Sequence, residues 1–231
     1  MYSKKNRSGS GDKAVPFASI RGWFFDLDGT LADTDDRLVN QLAVRFRFLG
    51  ASRSARLSRR LVMALETPVN RLITLLDSVG LDRALFSIKG KLRPAGAEHF
   101  ELMAGADGLL RALGPERRVA IISTRSPASV AAFLDRHELR SAVDLVVTHE
   151  STRRLKPSPE PVIYAMRQLG LAPGQCLLVG DTPMDMLSAR RAGVWAVGVL
   201  CGFGEKVELQ RAGAHLVLPD TVDLRPLAAA L

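Results

Sequence analysis

A chain of 231 residues, 47% hydrophobic and 24% charged, can bury one large core or a core with an insertion, and it reads as soluble and globular. No apolar run reaches the ~18 residues of a membrane span, the basic start "MYSKKNRSGSGDK" lacks the apolar stretch of a secretory signal, and two cysteines, Cys176 and Cys201, are too few for a disulfide framework and read as ordinary buried thiols; a cytoplasmic location is expected. The net charge of +8 is uneven: residues 1–21 hold five Lys/Arg against one Asp, residues 33–100 hold twelve against seven acidic residues, and the remainder is nearly balanced, which excludes a continuous basic stripe along the chain.

In chain order, residues 1–19 read as a flexible basic tail, polar and rich in glycine and serine. The first strand is "IRGWFF" (20–25). Residues 33–100 show helical rather than strand periodicity, as in "DDRLVNQLAVRFRFLG" and "PVNRLITLLDSVG", and are expected to form a helical insertion. Short apolar runs then return: "VAII" (119–122), "VDLVV" (143–147), "CLLVG" (176–180), "VWAVGV" (194–199) and "HLVL" (215–218). Helix-length amphipathic stretches separate the later runs, at 127–139, 159–170 and 183–193; the last two finish at Gly170 and Gly193, as helix C-termini prefer. Alternating strand and helix predicts an α/β fold, a doubly wound parallel sheet of Rossmann-like form built from 20–32 and 101–231.

Four polar sites fall just past strand ends or in the loops beyond them. Asp26 and Asp28 follow "WFF", Ser123 follows "VAII", Lys156 follows "VDLVV", and Asp181 with Asp185 follows "CLLV". In an open α/β sheet those ends line the ligand crevice, so residues distant in sequence converge. A carboxylate pair at the end of a buried strand repels itself and loses hydration, so it calls for a positive partner.

The order DxDGT, Ser, Lys, GDxxxD resembles the haloacid dehalogenase superfamily of phosphohydrolases, carried by Asp26, Asp28, Gly29, Thr30, Ser123, Lys156, Asp181 and Asp185. The likeness runs from about residue 20 to the C-terminus. The insertion looks like the cap domain of the phosphoglycolate phosphatase-like branch. The resemblance implies a phosphatase acting on a small phosphorylated metabolite, with Asp26 as nucleophile, forming an aspartyl-phosphate, and Asp28 as general acid and base. It implies Mg²⁺ held by Asp26, the Asp28 carbonyl and Asp181, with Thr30 and Asp185 supporting from behind, and Ser123 and Lys156 contacting the phosphate.

A phosphomutase would share all these core residues and pass the phosphoryl group to a sugar hydroxyl. The second acid, Asp28, disfavours a dehalogenase, whose departing halide needs no proton. A phosphonatase would need a cap lysine, and the insertion offers only Lys89 and Lys91. A non-catalytic nucleic-acid-binding protein is the remaining class; intact motifs and the lack of aromatic interleaving in the insertion oppose it. In the cap, "ALETPVNR" places Glu66 where family members often carry glycine, and an anionic side chain there needs a partner such as Arg60 or Arg71. Arg60 and Glu66 are therefore the expected specificity residues.

Overall fold

The computed structural model describes residues 14–33 and 100–229. In chain order the strands are β1 (Gly22–Phe25), β2 (Ala32–Asp33), β3 (Glu101–Leu102), β4 (Arg118–Ile122), β5 (Leu145–Val147), β6 (Cys176–Gly180), β7 (Trp195–Val199) and β8 (Leu216–Leu218). The α-helices are α1 (Ala106–Ala112), α2 (Pro127–Arg136), α3 (Glu160–Leu169), α4 (Pro183–Ala192), α5 (Lys206–Arg211) and α6 (Leu224–Ala229). Six strands form one sheet in the order β5-β4-β1-β6-β7-β8, with every pair parallel.

Alternation along each strand builds the two layers. Trp23 and Phe25 of β1 enter one apolar cluster with Ile121, Val179 and the inner faces of α1, α2 and α6. Phe24 points the other way, into a second cluster with Ile122, Leu178 and the inner faces of α3, α4 and α5. A central strand covered on both faces can be apolar at every position, which is why "GWFF" is buried throughout. The predicted strands lie on the observed ones, with ends shifted by a residue or two. Helix α2 stops at Arg136, short of the expected 139, because the backbone turns left-handed at Glu138 (φ 54°).

The chain leaves this core on β2 and returns on β3, which pair antiparallel through Ala32 with Leu102 and Asp33 with Glu101. Residues 34–99, which hold nearly all of the expected helical insertion, lie outside the described residues. Within the segment expected to be a flexible tail, Phe17–Ser19 instead form a 3₁₀ turn. Phe17 lies with its ring centroid 5.9 Å from that of Trp23, and Val15 also packs on the core. The polarity of residues 1–13 masked this apolar anchor in the sequence.

Candidate active site

Strand register sets the spacing of the site. Phe25 pairs with Ile121 on one side and Val179 on the other. Asp26 therefore stands level with Ile122 and Gly180, and Ser123 and Asp181 lie one step beyond. The Asp26 N–H donates to the Val179 carbonyl (2.9 Å) and the Ser123 N–H to the Val147 carbonyl (2.9 Å), so both residues still belong to the sheet's ladder. Their side chains leave from the C-terminal edge.

Lys156 enters from the loop between β5 and α3 and ties this edge together. Its Nζ donates to Asp26 Oδ1 (2.6 Å), to Asp185 Oδ1 (2.6 Å) and to the Ile122 carbonyl (3.0 Å), which uses all three ammonium hydrogens. All three side chains are buried. Burial alone would lower the Lys156 pKa, but the Asp185 and Asp26 carboxylates outweigh it and hold the ammonium charged. Burial raises Asp26 to about 7; Lys156 opposes the rise, and the negative charges of Asp185 and Asp28 add to it.

Asp185 is committed on both oxygens. Its Oδ2 accepts from the Thr182 N–H (3.1 Å) and hydroxyl (2.6 Å) at the start of α4, while Oδ1 takes Lys156. A single side chain thus caps a helix and fixes a lysine. Asp181, at the end of β6, accepts from the Thr30 hydroxyl (3.4 Å) on Oδ1 and from the Phe203 N–H (2.8 Å) on Oδ2. Close approach here demands glycine: Gly29 has φ 71°, and a Cβ on either Gly29 or Gly202 would collide with the Asp181 carboxylate. The β7–α5 loop carrying Gly202 and Phe203 is a part of the site that sequence reasoning missed.

Ser123 is buried, and its Oγ accepts from the Arg125 N–H (3.1 Å), which leaves the hydroxyl hydrogen to donate elsewhere. Asp28 is partly exposed and meets Arg125, a residue the sequence analysis did not single out. Arg125 Nε lies 2.8 Å from both Asp28 oxygens and Nη2 lies 2.7 Å from Oδ1. A basic residue two positions after Ser123 was the only available signal. Arg60 and Glu66 lie outside the described residues. Cys176 is buried as expected, whereas Cys201 is only half-buried.

The donor set fits a hard divalent cation. Asp26, Asp181 and Asp185 bring carboxylate oxygens within 4.8 Å of one another. Clustered carboxylate oxygens are hard donors of the kind Mg²⁺ prefers. With Asp185 already occupied by Lys156 and Thr182, Asp26 and Asp181 are the carboxylates suited to hold it.

A family model for haloacid dehalogenase-like hydrolases matches residues 23–199, a span that contains Asp26, Asp28, Ser123, Lys156, Asp181 and Asp185. The chain belongs to that hydrolase family. Among known proteins this hydrolase is similar to the phosphoglycolate phosphatase of Escherichia coli (strain K12), 27% identical in an alignment that covers 84% of this chain and 88% of that protein. A hydrolase from Pseudomonas syringae superposes with a TM-score of 0.61 at 27% identity, covering 91% of this chain and 98% of that one. A putative haloacid dehalogenase-like hydrolase from Bacteroides fragilis shares the fold, with a TM-score of 0.65 at 23% identity and coverage of 89% and 99%.

Proposed function

We propose that this hydrolase is a Mg²⁺-dependent phosphatase that cleaves a small phosphate monoester through an aspartyl-phosphate on Asp26. The observation that carries the reading is a buried carboxylate at the end of the central strand, fixed by Lys156 at 2.6 Å within a cluster of three acids. In the first half-reaction an Asp26 oxygen bonds to phosphorus, the ester P–O bond breaks, and the leaving oxygen takes a proton from Asp28. In the second, Asp28 takes a proton from water as the water oxygen bonds to phosphorus, and the acyl-phosphate P–O bond breaks to release inorganic phosphate and Asp26. Asp26, Asp181 and the Asp28 carbonyl would hold Mg²⁺, which would supply positive charge to offset the charge on the phosphoryl oxygens.

Lys156 acts by fixing Asp26 and by its charge, since a direct hydrogen bond to phosphate would require it to release one of its three partners. Ser123 donates its hydroxyl hydrogen to a phosphoryl oxygen. Thr30 and Asp185 orient Asp181 and Lys156 from behind. Arg60 and Glu66, outside the described residues, are the residues assigned to substrate specificity in this reading. Similarity to phosphoglycolate phosphatases supports a small phosphorylated metabolite as substrate, phosphoglycolate among them. Phosphate release from a panel of phosphorylated metabolites, with and without Mg²⁺, tests the reading. Release that needs Mg²⁺ and disappears in Asp26→Asn is expected; activity of that variant within about tenfold of wild type would exclude a covalent role.

A further inference from the structure

We infer that Arg125 is a positioning residue for Asp28, and that it ties the direction of this carboxylate to the strand on which the chain re-enters the core. The inference rests on Asp28 being the acid that protonates the leaving oxygen. Three observations converge on Arg125. Its guanidinium grips Asp28 through Nε, 2.8 Å from both oxygens, and Nη2, 2.7 Å from Oδ1, so the carboxylate is held at a fixed angle and not merely neutralised. The same guanidinium lies over the Phe100 ring, 3.7 Å from its centroid, and its side chain is only 12% exposed. Its backbone carbonyl receives His149 Nδ1 at 3.0 Å and its N–H donates to Ser123 Oγ at 3.1 Å.

The stack is anchored at its far end too. Phe100 packs on the main apolar cluster, and its carbonyl is 2.9 Å from His137 Nε2 at the end of α2. Phe100 immediately precedes β3, whose pairing with β2 closes the point where the chain leaves and re-enters the core. Asp28 itself sits on the turn that leads into β2, where the Gly29 N–H donates to the Ala32 carbonyl at 2.9 Å. Asp28, on the turn before β2, and Phe100, just before β3, are therefore joined through Arg125. A partly exposed carboxylate would otherwise rotate freely about χ1 and χ2. General acid catalysis needs its oxygen within hydrogen-bond reach of the departing atom.

The consequence is a dependence on leaving group. Proton donation matters most when the departing oxygen is a strong base, so loss of Asp28 alignment should penalise poor leaving groups and spare good ones. A residue that only maintains the fold would lower both alike. The test measures kcat/KM with saturating Mg²⁺ along substituted phenyl phosphates, from p-nitrophenyl to phenyl, for the full-length enzyme and for Asp28→Asn, Arg125→Lys, Arg125→Met and Asp28→Asn/Arg125→Met. Arg125→Met keeps the side-chain stem and its packing but not the fork, and Arg125→Lys keeps charge but not the fork.

Asp28→Asn should lose about 100-fold on phenyl phosphate and about tenfold less than that on p-nitrophenyl phosphate. Both Arg125 variants should steepen the dependence in the same sense, with about 10–30-fold loss on phenyl phosphate and about threefold or less on p-nitrophenyl phosphate. The double variant should match Asp28→Asn alone. If Asp28→Asn lowers all members equally, Asp28 is not the leaving-group acid and the inference falls with that role. If Asp28→Asn steepens the series while the Arg125 variants run parallel to wild type, or lose activity uniformly with a lowered melting temperature, the role of Asp28 stands and the positioning role of Arg125 is overturned.

Discussion

Asp185 Oδ1 lies 2.6 Å from Lys156 Nζ, and that ammonium also reaches Asp26 Oδ1 at 2.6 Å, so one buried lysine is shared between a residue anchored on α4 and the carboxylate at the end of β1. The position of Asp26 is thereby referred to the N-terminus of a helix whose first turn Asp185 itself caps. Lys156→Met would leave two buried carboxylates facing each other without a counter-charge. Breaking a buried ion pair from one side costs ~3–5 kcal/mol, and this loss is expected in urea unfolding without metal. Mg²⁺ should restore part of it, since a ligand that binds only the folded state stabilises it. A loss under about 1 kcal/mol would show that the lysine is not holding the cluster together.

Asp26 makes the metal-free protein sensitive to pH. Its pKa rises from 3.8 to about 7, mainly through burial. Because the folded value exceeds the unfolded one, this group's stabilising contribution is complete below about pH 4 and is lost as pH rises through 7. Mg²⁺ competes with the proton, so its affinity should climb up to about pH 7 and then level off, with protons released on binding at lower pH. Calorimetric titrations of Mg²⁺ in buffers of different ionisation enthalpy would read that release directly. Absence of proton release at about pH 6 would contradict the raised value.

Gly202 tests the approach of the β7–α5 loop to Asp181. A methyl group there collides with the Asp181 carboxylate, and the Phe203 N–H that orients Oδ2 must move with it. Gly202→Ala should weaken Mg²⁺ binding and lower kcat by about tenfold or more, while Asp181→Ala should raise the Mg²⁺ concentration needed for activity still further. Activity against Mg²⁺ concentration separates the cases; an unchanged Mg²⁺ requirement in both would remove Asp181 from the metal site.

At the N-terminus, Phe17→Ala should destabilise the core by ~1–2 kcal/mol, less than a fully buried phenylalanine because Phe17 is only half-buried against Trp23. Urea unfolding measures this. No change would mean that the 3₁₀ turn packs without contributing stability.

The strands were legible because a sheet covered on both faces imposes near-continuous apolar runs, and "CLLVG" or "WAVGV" can do little else once helices flank them. Asp26, Ser123, Lys156 and Asp181 were legible for a related reason: each is a polar residue just past such a run or in the loop after it, and parallel strands bring their C-terminal ends to one edge. The anchor at Phe17 was hidden because a single aromatic at the end of a polar segment carries no periodic signal.

The layered α/β architecture and the edge at which chemistry can occur were readable from the chain, since apolar runs and the helix-length stretches that separate them are local patterns that call for parallel crossovers. Tertiary structure alone decided the pairings within that edge. Lys156 is shared by Asp26 and Asp185, Arg125 grips Asp28 while lying on Phe100, and Gly202 makes room for Asp181. Each pairing joins residues from separate strand ends or loops, so its distance depends on sheet register and loop path. No spacing in the one-dimensional chain encodes those quantities.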